Sequence, residues 1–265
     1  KSIGNLPMHH AGGFYVQEPS AMSAVTLLNV QEGDKVLDLC AAPGGKSTQI
    51  AATLNKTGLL WSNEIIKGRA QILLSNIERM GVRNAVVSSC HPETLCTALE
   101  GYFDKVLADA PCSGEGMFRK DPDAAKQWSQ KNVKLCAVRQ NAVLDSACKA
   151  LKPGGTLVYS TCTYSKDENE NVINAFLDRH KDFELVDAAV SFGRRTMEKA
   201  VRIFPMDAGE GHFAAKLIKL KGSGYSAPDI PQGGIKGSAA SGQELFKELF
   251  SCDIYGDIVS LNDNV

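Results

Sequence analysis

The sequence predicts an α/β protein built on a doubly wound, mainly parallel sheet. Two observations carry the prediction. From Lys35 onward, short β-branched or apolar runs alternate with longer helical patterns, as in βαβ units whose sheet is covered on both faces. The run Asp38-Leu39-Cys40-Ala41-Ala42-Pro43-Gly44-Gly45-Lys46-Ser47 also passes from a strand straight into a helix through small residues, as the first crossover of such a sheet does. Strands are expected at 35–39, 58–63, 85–89, 105–109 and 156–160. Helices are expected at 47–54, 67–80 and 133–151, the last closed by the stop-and-turn signal Lys152-Pro153-Gly154-Gly155. A further helix at 169–179 and strand-like runs at 183–186, 201–204 and 212–220 follow.

At 265 residues with 43% hydrophobic content, the chain can bury a sizeable core. Residues 1–220 read as one catalytic domain, and the Gly-, Ser- and Pro-rich stretch 221–242 as a linker. The remainder, 243–265, has one amphipathic turn (Leu245, Phe246, Leu249, Phe250) and reads as a tail or the start of a C-terminal domain. A chain that begins with Lys1 reads as a piece of a longer protein, with domains missing at both ends.

The formal net charge is −1, so there is no global basic field and any nucleic-acid contact must be local. No stretch approaches the roughly 20 apolar residues of a membrane span, and the start has no apolar signal core. A cytoplasmic monomer that does not engage membranes is expected. The eight cysteines never fall into C-x-x-C spacing, which leaves no metal framework; six read as reduced, mostly buried thiols.

The loop after the first strand excludes two rival ligands. A dinucleotide fingerprint needs G-x-G-x-x-G, which is absent; a phosphate-binding P-loop needs a glycine where Cys40 stands. Glu64, in Trp61-Ser62-Asn63-Glu64, ends the second strand where an acid can accept hydrogen bonds from a ribose diol, or can simply be an exposed strand-end carboxylate. Loop and acid together fit S-adenosylmethionine better than a dinucleotide.

The fourth and fifth expected strands each end in a cysteine: Asp109-Ala110-Pro111-Cys112-Ser113-Gly114-Glu115-Gly116 and Ser160-Thr161-Cys162-Thr163-Tyr164-Ser165. Adjacent parallel strands would bring both thiols into one cleft beside the cofactor loop. Cytosine C5 is too poor a nucleophile to accept a methyl group directly, so a thiolate must first add to C6. A second thiol can then assist expulsion of the first.

With these residues in view, the chain resembles the Sun/Nop family of RNA 5-methylcytosine methyltransferases, in particular the bacterial enzymes of the small-subunit ribosomal RNA type. The resemblance runs from His10-Ala11-Gly12-Gly13-Phe14-Tyr15-Val16-Gln17-Glu18-Pro19-Ser20-Ala21-Met22 through the Cys40–Lys46 loop, Asn63-Glu64 with Arg69, and Asp109–Gly116, to Ser160–Ser165. It implies the class I, Rossmann-like methyltransferase fold, with S-adenosyl-L-methionine as cofactor. It further implies that Cys162 is the nucleophile and that Cys112 promotes release of the methylated RNA. Cys40, Ala41, Ala42, Pro43, Gly44, Gly45 and Lys46 would line the cofactor, with Glu64 on its ribose and Arg69 nearby. Asp109 and Lys46 would lie by the cofactor and the base. DNA cytosine methyltransferases use the cysteine of the Pro-Cys motif, so the presence of both cysteines favours RNA. The expected substrate is ribosomal RNA, with transfer RNA and a non-catalytic RNA-binding assembly factor as alternatives. One departure stands out: many family members carry an acid after the third strand to hold adenine, whereas His91 occupies that place here and reads equally as a surface-loop histidine. Phe118-Arg119-Lys120 reads as an RNA-backbone contact or a solvated turn. The target cytosine would have to be unstacked to expose C6.

Overall fold

Strands whose side chains are apolar on both faces must be covered on both sides, and the chain supplies helices for each. The computed structural model describes residues 3–207 and 209–222. The tail expected at 243–265, and all but the first two residues of the linker, lie outside them. The sheet contains β1 (Lys35–Asp38), β2 (Leu59–Asn63), β3 (Ala85–Ser88), β4 (Phe103–Asp109), β5 (Leu151–Thr161), β6 (Phe183–Val186), β7 (Arg194–Thr196), β8 (Ala200–Ile203) and β9 (His212–Lys219). The helices are α1 (Pro7–His10), α2 (Pro19–Leu28), α3 (Gly45–Leu54), α4 (Lys67–Arg79), α5 (Pro92–Ala98), α6 (Pro122–Gln127), α7 (Gln130–Ala150) and α8 (Glu170–Arg179). The strand order is β3-β2-β1-β4-β5-β9-β8-β7, with β6 also paired to β9. β1 to β5 run parallel; β9 is antiparallel to β5, and β6 and β8 are antiparallel to β9.

Alternation along each strand divides the core in two. Leu37, Val106, Ala108, Leu157 and Tyr159 face one side, where Leu144 of α7 and Phe176 of α8 cover them. Val36, Leu107 and Val158 face the other, under Leu27 of α2, Ile50 of α3 and Leu73 of α4. Buried Lys219 donates to the carbonyls of Cys148 (2.9 Å) and Leu151 (2.8 Å), closing the C-terminal end of α7, where a cation complements the helix dipole.

The structure departs from the sequence reading at several ends. α7 starts three residues before the expected Val133, because Ser129 caps it by accepting from the Asn132 amide at 3.1 Å. The Lys152–Gly155 signal does end α7, yet the chain stays extended and β5 begins at Leu151. The extra residues appear as a register shift, Phe103 facing Leu151 and Lys105 facing Thr156, with Gly154 in the left-handed region at φ 77°. The sequence reading did not mark α2, α5 and α6, although each has Pro at its start after a capping side chain: Glu18, His91 and Asp121.

Candidate active site

Parallel strands end together at one edge of the sheet, and there the loops after β1, β2, β4 and β5 meet. The loop after β1 is held by its neighbours: the Ala41 amide donates to the Asn63 carbonyl (2.8 Å), and Arg69 and Asn76 of α4 donate to the carbonyls of Ala42 (3.0 Å) and Pro43 (2.8 Å). Gly44 takes φ 117°, which disfavours a side chain. A Cβ on Gly45 would lie 3.1 Å from the Tyr15 ring and 3.5 Å from Gln17, so this glycine lets the segment before α2 pack against the loop. Gly45 and Lys46 then open α3.

A cavity of about 690 Å³ follows this edge. One end is formed by Leu39, Cys40, Ala42, Glu64, Ile65, Ile66 and Arg69, and the other by Asp109, Cys112, Ser113, Met117 and Cys162. Glu64 is 3% exposed; one carboxylate oxygen accepts from the Ile66 amide at 3.0 Å and the other lies 3.2 Å from Arg69. The volume suits a nucleoside-sized ligand. A buried acid at the β2 edge, the apolar side chains of Ile65 and Ile66 and a small-residue loop fit a ribose-bearing cofactor. His91 is not drawn into this group: it is exposed, and its Nδ1 accepts from the Glu93 amide at 3.3 Å to cap α5, while the next residue, Pro92, lines the cavity.

At the other end Lys46 Nζ donates to Asp109 Oδ2 at 2.7 Å, and the Ser160 hydroxyl donates to Asp109 Oδ1, also at 2.7 Å. The parallel register sets Asp109 beside Ser160, so cysteines three and two residues further on converge. Their sulfurs are 3.4 Å apart. The two turns are also tied directly. Ser113 Oγ meets Thr163 Oγ1 at 2.9 Å, the Gly116 amide donates to the Cys162 carbonyl at 2.7 Å, and Glu115 accepts from the Thr163 hydroxyl (3.0 Å) and the Tyr164 amide (2.8 Å). A Cβ on Gly116 would fall 2.7 Å from the Cys162 carbonyl, so only glycine fits there.

The electrostatics separate the two thiols. The hydrogen bond from Cys112 holds the Cys162 thiol below its ordinary value against burial and the Asp109 charge, and the Lys46 ammonium acts in the same direction. Cys112 is pushed well above its ordinary value by that shared hydrogen bond and by burial. Of the two thiols, Cys162 is therefore the stronger acid and Cys112 the one that holds its proton. Burial pushes the Asp109 carboxyl up, but the Lys46 ammonium and the hydrogen bonds from Lys46 and Ser160 hold it below the usual carboxylate range. Burial lowers Lys46, yet the Asp109 charge raises it further and keeps it protonated. Burial, joined by the charges of Asp38, Asp109 and Glu64, drives the Cys40 thiol far up, so Cys40 serves as part of the wall.

Two buried residues behind the cavity wall add to its electrostatics. Asp38, fully buried at the end of β1, accepts from the Ser47 hydroxyl at 2.7 Å, and burial raises its carboxyl to about 7, with the Asp109 and Glu64 charges adding to the effect. His212, at the start of β9, lies 3.8 Å from Asp109 and is kept neutral by burial and by Lys46, which lower it to about 4. Only the antiparallel pairing of β9 with β5 brings it there. Arg119, expected to meet RNA or solvent, forms an ion pair with Glu210 at 3.2 Å. The seven described cysteines are all free, and none of the described helices is long and apolar enough to cross a membrane.

A Rossmann-like sheet with this strand order and this cleft at its carboxyl edge defines a class I, S-adenosylmethionine-dependent methyltransferase. A family model narrows the class: that of the 16S rRNA methyltransferase RsmB/F family matches residues 25–218, and the chain belongs to that family. It is 43% identical over 236 residues to ribosomal RNA small subunit methyltransferase F of Vibrio vulnificus, a match covering 86% of this chain and 50% of that protein. With the namesake from Erwinia tasmaniensis it shares 42% over 243 residues, 88% of this chain and 50% of the relative. The chain therefore spans about half the length of these curated relatives. The crystal structure of NSun6 from Pyrococcus horikoshii with SFG is also similar, at TM-score 0.76 and 33% identity, covering 84% of this chain and 57% of that one.

Proposed function

We propose that the chain carries the catalytic domain of a ribosomal RNA cytosine-5 methyltransferase in which Cys162 attacks the base and Cys112 resolves the adduct. The approach of two thiols to 3.4 Å beside the Lys46–Asp109 pair is the observation that carries this reading. The Cys162 thiolate adds to C6 of an unstacked cytosine, and its electron pair makes C5 nucleophilic. S-adenosylmethionine supplies the methyl group that C5 takes up. Glu64 holds the cofactor ribose and the Cys40–Lys46 loop lies along it. Asp109 accepts a hydrogen bond from the cytosine edge and so orients the base, while the Lys46 ammonium favours the ionised forms of Asp109 and Cys162. Loss of the C5 proton to a base restores the ring double bond and expels Cys162 as a thiolate, and the Cys112 thiol donates a hydrogen bond to the departing sulfur.

The test is to incubate the protein with labelled cofactor and small-subunit ribosomal RNA, then digest the RNA to nucleosides. Label in 5-methylcytidine, lost on Cys162→Ala, supports the reading. Undiminished transfer by Cys162→Ala removes Cys162 as nucleophile and favours a Pro-Cys mechanism of the DNA type. Bisulfite sequencing of ribosomal and transfer RNA from a strain lacking the protein separates the two RNA classes.

A further inference from the structure

Cys112 lies in a loop whose flanking peptides are both held from beneath by one buried pair. Gln140, midway along α7 and 0% exposed, donates from Nε2 to the Pro111 carbonyl at 3.0 Å and to Glu168 Oε2 at 2.8 Å. The same Glu168 oxygen accepts from the Ser113 amide at 2.9 Å. The peptides before and after Cys112 are thus fixed by adjoining side chains. Glu168 is itself 0% exposed, and among the described residues it has no ion pair; its Oε1 and Gln140 Oε1 are buried without hydrogen-bond partners.

Burying an unpaired carboxylate opposes folding, and an apolar pair of the same size would fill the space at less cost. What the polar pair adds is geometry, because directional hydrogen bonds to the Pro111 carbonyl and the Ser113 amide fix two peptides that apolar contacts would leave free to shift. The next residue does the equivalent for the other cysteine. Asn169 accepts from the Thr161 hydroxyl at 2.6 Å and donates to the Thr163 carbonyl at 2.9 Å, on either side of Cys162. The Tyr159 hydroxyl, donating to the Glu168 carbonyl at 2.5 Å, fastens this dipeptide to the core. Glu168-Asn169 thereby grips both cysteine turns from one point of the chain.

We propose that Glu168, acting with Gln140, is the positioning residue of the second cysteine: the pair fixes the peptides on either side of Cys112 and so sets the distance at which its thiol serves Cys162 during release. This rests on the release role given to Cys112 above. Glu168 reaches neither substrate nor cofactor, and it acts only through the loop.

The test compares first-turnover methyl transfer, steady-state turnover, the amount of RNA–protein adduct that survives denaturation, and melting temperature. In Glu168→Ala and Gln140→Ala, the first turnover, measured at a pH high enough to ionise Cys162 without help from Cys112, stays close to that of the parent. Steady-state turnover falls about tenfold, as loss of a well-placed hydrogen bond allows, and adduct accumulates. In Glu168→Gln the side-chain carbonyl still accepts from Ser113, so turnover is restored. If Glu168→Ala does not fold, Gln140→Ala carries the comparison. Slowing of both phases in parallel with a lowered melting temperature and no extra adduct is what a merely structural role gives, and it overturns the proposal. A Cys112→Ala control separates the failures. Adduct from that control but none from the clamp variants sinks the clamp alone; methylation without adduct in the control sinks the release role and the clamp with it.

Discussion

Lys46→Met removes a cation that acts on both Asp109 and Cys162, and its consequences follow from the geometry. The ion pair is 2.7 Å long, with side chains 11% and 28% exposed. Breaking a buried pair by deleting one partner costs about 3–5 kcal/mol. Asp109 keeps the Ser160 hydroxyl at 2.7 Å and some contact with water, which places the cost near the lower end, about 3 kcal/mol. For a domain of this size that corresponds to a fall in melting temperature of roughly 6–12 °C. The second consequence is chemical: without the ammonium, the Cys162 thiol becomes a weaker acid, because Lys46 helps to hold it down. Iodoacetamide alkylation, resolved by site with mass spectrometry across a pH series, reads this directly, and its midpoint at Cys162 should move to higher pH in the variant. An unmoved midpoint together with a melting temperature within 2 °C of the parent, about the shift of 1 kcal/mol or less, would refute the assigned role of Lys46.

The other expectations can be checked separately. Glu64→Ala removes the buried acid that faces the cavity, so calorimetric affinity for S-adenosylmethionine should drop about tenfold or more, the worth of a charge-assisted hydrogen bond; unchanged affinity takes Glu64 out of the site. Cys112→Ala should leave a denaturation-resistant RNA–protein band, and a gel without one counts against its release role. Asp38 titrates near 4 when unfolded and at about 7 when folded. Between these values the folded state holds a proton that the unfolded state has released. Its contribution to stability is therefore full below about pH 4 and falls by at most about 1.4 kcal/mol per unit as pH rises to 7. Asp38→Asn abolishes that slope, so its stability relative to the parent should climb from pH 4 to 7 and then level off; a flat difference in urea midpoints would show that Asp38 titrates normally.

The parts of the site that were legible are those that short sequence runs encode. The β1 loop, Glu64 at the end of β2 and the two cysteine turns each follow a strand, and the parallel register then brings them together without further information. His212 was not legible, because its strand runs back through the sheet and nothing near Gly211-His212-Phe213 signals Asp109 as a neighbour. Glu168 and Gln140 look like ordinary polar residues, in a turn before α8 and within α7; only burial and the bonds to Pro111 and Ser113 distinguish them. His91 is the opposite case. Its place after β3 leaves a cofactor contact and a surface-loop histidine equally open, and the Pro92 that follows gives it a local role as the cap of α5.

The central claim is that Cys162 makes the bond to C6. A small-subunit ribosomal RNA fragment carrying 5-fluorocytidine tests it most directly, because fluorine at C5 cannot leave as the proton does and the adduct cannot resolve. After incubation with S-adenosylmethionine, nuclease and protease digestion and mass spectrometry, the account requires the methylated fluoropyrimidine on the peptide that contains Cys162. The same adduct on Cys112, or methylation of the RNA with no adduct on either cysteine, would contradict it.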